Sequence, residues 1–551
     1  MEAREYIVIL HDRTDLDDFY TDMEQHSHYE HVPSRPVELA YRRPMSRSTH
    51  YLLTPDEAAV LAQDPRVMEV QEPYYNRGID ISPLGQQYSD KWDKSGTNSQ
   101  TSRNWALLRG YERATRSNWG SDGTATAAGT INLTNIGNNV DVVIADGHIV
   151  PGHPEFAVND DGTGGSRLNQ FNWFQYNNQV RGTAAGTYVY DFLTDSGSIA
   201  NNNHGCNVAG IATGNTCGWA RGANVYNISP YTGSTANASG YGNYIYDLIN
   251  YIRVFHANKA INTKTGRKNP TIVNMSWGFN SQITLNNISE VRYKGVVYTK
   301  PGAGWTVYDR VYFGLIAAIG NDMVFYSRDA SIDQDCVDAI ADGIIMCGAA
   351  GNFYMYNERE GGTLYDNYLK YIFNYYYMRG PSPGAATGVI HVSAVDSTVA
   401  EQKVNFSNAG PRTDVFSPGA NIMSSMNTSD TTDPRNTSFY KGNMSGTSQA
   451  TPQVTGIIAC ALEMYPNMTP AQALTYIQTY ANNGVLSDSP TNTDYGTFDY
   501  LNSNTLFNGP NKYITYRKER GDQYQVYPKR DYNIRPTSGR TYPRPRIRRF
   551  G

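Results

Sequence analysis

A seven-residue stretch, Gly446-Thr447-Ser448-Gln449-Ala450-Thr451-Pro452, opens a long apolar run and constrains this chain more than any other feature. Val454, Ile457, Ile458, Ala459, Cys460, Ala461 and Leu462 follow at helical spacing, so the run reads as a buried helix. Gly456 and Ala459 are small enough to let a neighbouring element approach closely. Proline is accommodated near a first turn, where backbone N–H groups have no intrahelical partner, so the helix is expected to begin just before Pro452, within reach of Ser448. A hydroxyl at that point sits beside free N–H groups that favour developing negative charge. A Ser or Thr ahead of an apolar run is by itself only a helix cap.

Two upstream segments change its meaning. Val140-Asp141-Val142-Val143-Ile144-Ala145-Asp146 ends an apolar strand in a carboxylate, and Asn203-His204-Gly205-Cys206-Asn207-Val208-Ala209-Gly210 sets a histidine before a small-residue helix. Asp146, His204 and Ser448 thus occur in that order, each at the edge of a buried element. Further on, Ile272-Val273-Asn274-Met275-Ser276-Trp277-Gly278 and Ile344-Ile345-Met346-Cys347-Gly348-Ala349-Ala350-Gly351-Asn352 each end an apolar strand in small and polar residues.

Together these five segments resemble the motifs of the subtilisin-like serine proteases, closer to the proteinase K and kexin side than to the bacterial secreted subtilisins. The serine motif of that family, Gly-Thr-Ser-Met-Ala-Thr-Pro, differs here at Gln449. The histidine motif, His-Gly-Thr-His-Val-Ala-Gly, differs at Cys206 and Asn207. The aspartate motif departs most, with Gly147-His148 after Asp146, although His153-Pro154-Glu155-Phe156 downstream fits. The resemblance implies a serine endopeptidase working through an acyl-enzyme. Ser448 would be its nucleophile, His204 its base, Asp146 the group orienting the imidazole, and Asn352 with the Ser448 N–H its oxyanion hole. It implies substrate contacts at Ser276, Trp277, Gly278, Ala349, Ala350 and Gly351. No cofactor is required, and Asp396 falls where relatives of proteinase K hold one structural calcium. His148 and His153 lack the second-ligand spacing that zinc needs, and Cys206 and Cys217 read as small buried apolar residues.

The fold class expected is α/β: a mainly parallel sheet with helices on both faces, preceded by a small α+β unit. Strands are expected at 140–145, 224–228, 271–275, 344–347 and 389–395, and a helix over 331–341. Residues 1–79 resemble the inhibitory propeptide of the family, through the strand Tyr6 to Leu10, the Thr54-Pro55-Asp56-Glu57 helix start and Asp64-Pro65-Arg66-Val67. That implies a zymogen cut around Arg77 to Ser82, with the N-terminal unit as a partner of its own enzyme. Residues 80–139 read as a polar segment and 140–510 as the catalytic domain. Two aromatic insertions, 281–328 and 353–387, border the expected cleft. Residues 511–551 form a basic tail rich in Tyr, Pro and Arg, within a chain of net charge −5. Such a tail suits a solvated segment or contact with nucleic acid or a larger assembly.

The start Met1-Glu2-Ala3-Arg4-Glu5-Tyr6 lacks a signal-peptide pattern and no apolar stretch is long enough to span a bilayer, so an intracellular or virion-associated protein with no membrane partner is expected. An alternative from another class is a catalytically silent fold of the same family serving as a structural or binding subunit of a phage virion. The departures at Gln449, Asn207 and Gly147-His148 motivate it.

Overall fold

Alternation along one strand organises the N-terminal unit. The computed structural model describes residues 2–25, 30–83, 86–87, 105–113, 129–186, 203–230, 244–315, 318–319, 322–398, 400–428, 431–488 and 506–526. In β1 (Arg4–Leu10) successive side chains point to opposite faces. Tyr6, Val8 and Leu10 join Phe19 and Met23 of α1 (Leu16–Glu24) in a local core, while Ile7 and Ile9 face the core of the larger unit. After β2 (Leu39–Tyr41) and β3 (Ser48–Leu53), α2 (Pro55–Leu61) starts on a capping box between Thr54 and Glu57 with proline in its first turn. β4 (Val67–Gln71) completes an antiparallel sheet in the order β2-β3-β1-β4.

The segment read as polar loop holds more structure than its composition predicts. It contains β5 (Ile79–Pro83), β6 (Gln86–Gln87), α3 (Trp105–Glu112) and β7 (Gly129–Asn132). The strands escape notice because they form by pairing with distant partners, not by an apolar period of their own. α3 is pinned by Trp105 Nε1, which donates to the Ala420 carbonyl at 3.1 Å, and by a buried Arg109–Glu401 ion pair.

The central sheet follows the expected alternation. In chain order come β8 (Asp141–Ala145), β9 (Leu168–Asn169), α4 (Asn177–Arg181), α5 (His204–Thr213), β10 (Asn224–Ile228), α6 (Tyr244–Asn258) and β11 (Thr271–Met275). The first insertion continues as β12 (Trp277–Thr284), β13 (Glu290–Tyr293), β14 (Val296–Thr299), α7 (Val307–Tyr312), β15 (Ala318–Ile319) and β16 (Asp322–Tyr326). Then come α8 (Ala330–Ala341), β17 (Ile345–Ala349), β18 (Tyr368–Lys370), β19 (Asn374–Tyr376), β20 (Ile390–Val395) and β21 (Val415–Pro418). A hairpin unit, β22 (Ile422–Met426), β23 (Thr431–Asp433) and β24 (Asn436–Ser445), leads into α9 (Thr447–Met464) and α10 (Pro470–Tyr480). β25 (Asn482–Asn483), β26 (Lys512–Tyr513) and β27 (Gln523–Val526) end the described chain.

The nine-stranded sheet runs β25-β26-β21-β20-β17-β11-β8-β10-β9 and is parallel except for β25. Its central strands β8, β11, β17 and β20 are buried along their whole length, as parallel strands covered on both faces must be. One face carries α5 and α9, the other α6 and α8. β8 lies between β10 and β11, so the strand order reverses beside it, and the carboxyl ends there form the natural crevice for a site.

Three sequence expectations are altered in the structure. The two insertions share one sheet, β14-β13-β18-β19, and one core that includes Tyr293, Phe313, Leu369 and Tyr377. α9 begins at Thr447 and takes Pro452 into its body, well before the predicted start. The basic stretch from residue 511 begins inside the domain: Tyr513 is fully buried in the main sheet, Tyr516 stacks on Trp219 at 5.4 Å, and β27 pairs with β7. Its remainder, 527–551, lies outside the described residues. Among the described residues no helix is long and apolar enough to cross a membrane.

Candidate active site

The parallel register aligns three strand ends. Ala145 of β8 stands opposite Met275 of β11, and Met275 opposite Gly348 of β17. The residues just beyond these ends are therefore neighbours: Asp146, then Ser276, then Ala349-Ala350-Gly351-Asn352. The N-termini of α5 and α9 bring His204 and Ser448 to the same sheet edge, and Asp146, His204, Ser276 and Ser448 are all buried there.

Asp146 Oδ1 accepts from the Gly147 N–H at 2.7 Å and bonds His204 Nδ1 at 2.7 Å. The chain can come this close only because residue 205 is glycine: a Cβ there would lie 1.9 Å from the Gly147 carbonyl oxygen. With Nδ1–H donated to the carboxylate, Nε2 is the imidazole nitrogen that carries the lone pair.

Ser448 and Ser276 bond reciprocally. Ser448 Oγ donates to the Ser276 carbonyl at 2.8 Å, and Ser276 Oγ donates to the Ser448 carbonyl at 3.0 Å. The second bond answers a gap in the helix, because the residue four positions on is Pro452, which has no N–H to give. Asn274 Nδ2 donates to Ser276 Oγ at 2.9 Å and Thr455 Oγ1 to Asn274 Oδ1 at 3.1 Å, so a buried polar chain seats the turn that carries Ser448.

Asn352 is oriented by the residue before the serine. Its Oδ1 accepts from Thr447 N and Thr447 Oγ1, both at 2.9 Å, which identifies the other end of the amide as the donor. Gly351 N–H donates to Thr447 Oγ1 at 3.1 Å. Gly351 has φ +107°, and a Cβ there would meet the Tyr326 ring at 2.2 Å. Tyr326 is a contributor that sequence reasoning missed: its hydroxyl accepts from Asn352 N–H at 2.8 Å and its ring stacks on Phe353 at 4.3 Å. It closes the first insertion, and only its place at the end of the short apolar run Met323-Val324-Phe325-Tyr326 hinted at a buried position.

The neighbouring histidines and cysteines have structural partners. His153 Nε2 donates to the Tyr440 carbonyl at 2.9 Å while Nδ1 accepts from Glu155 N–H at 3.1 Å. Burial opposes ionisation of Glu155, but Lys441 and Arg435 outweigh it and hold the carboxyl well below its usual range. Burial lowers His148 to about 3 and raises Cys206 and Cys217 to about 12 and 11, leaving all three neutral at ordinary pH. Asp396 accepts from Thr398 N and Oγ1 at 3.1 and 2.8 Å within its own turn. No group of three or more His, Cys, Asp or Glu suited to a metal occurs among the described residues.

The expected substrate strand is occupied by the chain itself. β5 runs antiparallel to β12, with Pro83 opposite Trp277, Ser82 opposite Gly278 and Ile79 opposite Ser281. β6 then pairs with the end of β24, Gln86 opposite Ser445, three residues before Ser448. The N-terminal unit that feeds this path sits on α6 and α8. Arg43 pairs with Asp335, Arg47 with Asp338 at 2.6 Å, and Tyr41 donates to Asp247 at 2.6 Å.

Comparison with known proteins gives a family match over most of the chain. The model of the subtilase family matches residues 137–501. An extracellular serine proteinase of Thermus sp. (strain Rt41A) is 27% identical over 301 residues, covering 54% of this chain and 51% of that protein. The subtilisin-like serine protease pepC of Aspergillus niger is 36% identical over 121 residues, 20% of this chain and 21% of its own. The chain thus spans about half the length of the first of these relatives and about a fifth of the second. Among solved structures, fervidolysin from Fervidobacterium pennivorans, a keratinolytic enzyme related to subtilisin, aligns at 14% identity over 93% of this chain and 60% of that one, with a TM-score of 0.48. A cold adapted subtilisin-like serine proteinase aligns at 17% identity over 76% of this chain and 100% of that one, with a TM-score of 0.43.

Proposed function

The chain belongs to the subtilase family, and on that premise we propose that it is a serine endopeptidase made as a self-processed zymogen. The observation that carries the reading is the 2.7 Å bond between His204 Nδ1 and Asp146, at the strand end beside which the α9 N-terminus presents Ser448.

The chemistry follows from these atoms. The Ser448 hydroxyl leaves the Ser276 carbonyl and turns its proton to His204 Nε2 as Oγ attacks the substrate carbonyl carbon. Asp146 stabilises the imidazolium that forms. The Ser448 N–H and the Asn352 amide donate to the oxyanion, which carries full charge only in the tetrahedral state, so their effect falls on the rate and not on ground-state binding. Collapse breaks the C–N bond as His204 protonates the leaving amine. Water then repeats the sequence on the acyl-enzyme, with His204 again as base.

The zymogen reading is supported by residues 79–83, which pair with β12, and by residues 86–87, which pair with the end of β24 that leads into Ser448. Cleavage belongs between Pro83 and Gln86, somewhat beyond the Arg77 to Ser82 region that the sequence predicts. Leu84 and Gly85 themselves lie outside the described residues.

A fluorophosphonate probe tests the activity, and intact mass tests the processing. Wild-type protein should take the label and show a new N-terminus at residue 84, 85 or 86, whereas Ser448→Ala should remain full length and unlabelled. Absence of Ser448-dependent labelling in soluble, folded protein would support the silent structural fold instead.

A further inference from the structure

Arg77 makes the last side-chain contact described before the N-terminal segment enters the β12 track. Its Nη2 donates to Asp329 Oδ2 at 2.5 Å and its Nη1 lies 3.5 Å from the Arg328 carbonyl. Asp329 is fully buried, and its partners come from two sources. From the catalytic unit, Ile332 N–H donates to Oδ1 at 3.2 Å, capping α8, and Tyr246 OH donates to Oδ2 at 3.0 Å. From the N-terminal segment, Gln71 Nε2 reaches Oδ1 at 3.1 Å and Arg77 reaches Oδ2. The cation next in sequence, Arg328, is turned away to Asp333 at 2.8 Å. Without the segment, Asp329 keeps its cap and its tyrosine but loses the guanidinium paired with it. A carboxylate oriented by its cap and its tyrosine but stripped of its cation is a ready partner for the guanidinium of a new chain.

The backbone at this point is also held by the catalytic unit. Tyr375, from the second insertion, donates to the Arg77 carbonyl at 3.0 Å. Gly78 then takes φ +64°, turning the chain so that Ile79 opens the ladder on Ser281. A side chain at residue 78 would be strained by that angle although no neighbour lies within 4 Å.

We infer that Asp329 and Tyr375 form a distal subsite for polypeptide substrates, one that takes the arginine of an Arg-Gly pair lying immediately before the strand that pairs with β12. The inference rests on the peptidase reading and on β5 lying where a substrate strand lies. It specifies the substrate class: extended chains carrying a basic residue several positions ahead of the scissile bond, outside the contacts made by Ser276, Trp277 and Gly278. It also gives the second insertion a role in gripping substrate.

A two-by-two comparison tests it. The purified product of the full-length chain and its Asp329→Asn variant are each given a peptide copying residues 74–90 and the same peptide carrying Arg77→Gln. Asparagine still caps a helix, so α8 keeps its start. The readout is the ratio of kcat/KM between the two peptides, which is insensitive to a change in the amount of active protein. A charge-assisted bond predicts that wild type favours the arginine peptide by about tenfold, and that the ratio falls below about twofold in Asp329→Asn. Equal cleavage of both peptides by wild type, or an arginine preference undiminished in Asp329→Asn, overturns the subsite while leaving the peptidase reading intact. Cleavage of neither peptide by wild type overturns the peptidase reading, and the subsite with it.

Discussion

Gln449 Nε2 donates to Asn207 Oδ1 at 3.2 Å, joining the residue after the candidate nucleophile to a residue three positions beyond the candidate base. These are two of the positions at which the serine and histidine motifs depart from the family pattern. Both side chains are fully buried, and Asn207 Nδ2 donates onward to the Gly442 carbonyl at 3.4 Å. The two departures are thus one interaction between α5 and α9 near the ends that carry His204 and Ser448.

Removing either partner leaves the other amide buried and short of a bond. Asn207→Ala and Gln449→Ala should each destabilise the fold by about 1–3 kcal/mol. The double variant should cost less than the sum of the two, by roughly 0.5–1 kcal/mol or more. Chemical denaturation of all four proteins measures this, and strict additivity would mean that the pair contributes nothing.

The oxyanion side can be probed at two distances from the chemistry. Asn352→Ala should lower kcat by roughly 10²- to 10³-fold with KM little changed, the size seen when one such donor is removed from a subtilisin. Tyr326→Phe removes the acceptor of the Asn352 N–H and should lower kcat by about tenfold or less, again with KM nearly constant. A properly folded Asn352→Ala protein with near-normal kcat on a peptide substrate would show that a different group holds the oxyanion.

Two truncations locate the C-terminal boundary of the folded domain. Ending the chain after Val526 should leave folding and peptidase activity intact. Ending it after Pro510 removes Tyr513, Ile514 and Tyr516, which are at most 2% exposed, at roughly 1.5–3 kcal/mol each. That shorter chain should be insoluble or unfold at a much lower temperature. Equal melting temperatures for the two truncations would contradict the packing of β26 into the sheet.

Acid should weaken the fold through its buried histidines. Burial lowers His148 to about 3, and burial with help from Lys259 lowers His256 to about 4, whereas the unfolded chain takes up both protons near pH 6.5. Stability present above pH 6.5 is therefore lost progressively as pH falls toward 3 to 4, because only the unfolded state binds these protons in that window. His148→Gln should flatten the dependence of unfolding free energy on pH by up to about 1.4 kcal/mol per pH unit there. An unchanged slope would mean that His148 is not held neutral.

The amino-acid sequence by itself determined the elements and the types of residue at their ends. Apolar runs such as Val142 to Ala145 and Ile272 to Met275, small-residue helices after His204 and Ser448, and the Thr54 to Glu57 capping box are encoded within about ten residues, where periodicity and caps act. That was enough to point to the family and to Asp146, His204, Ser448 and Asn352 as candidates, but not to Tyr326. The tertiary structure alone decided which distant segments satisfy one another. Ser276 answers the carbonyl that Pro452 leaves open, and Tyr326 reaches back to Asn352. The two insertions close into one sheet, Tyr513 enters the main sheet, and Arg77 meets Asp329. Each of these contacts depends on a backbone or side-chain polar group finding its partner tens to hundreds of residues away, and neither the propensity nor the period of either segment records that choice.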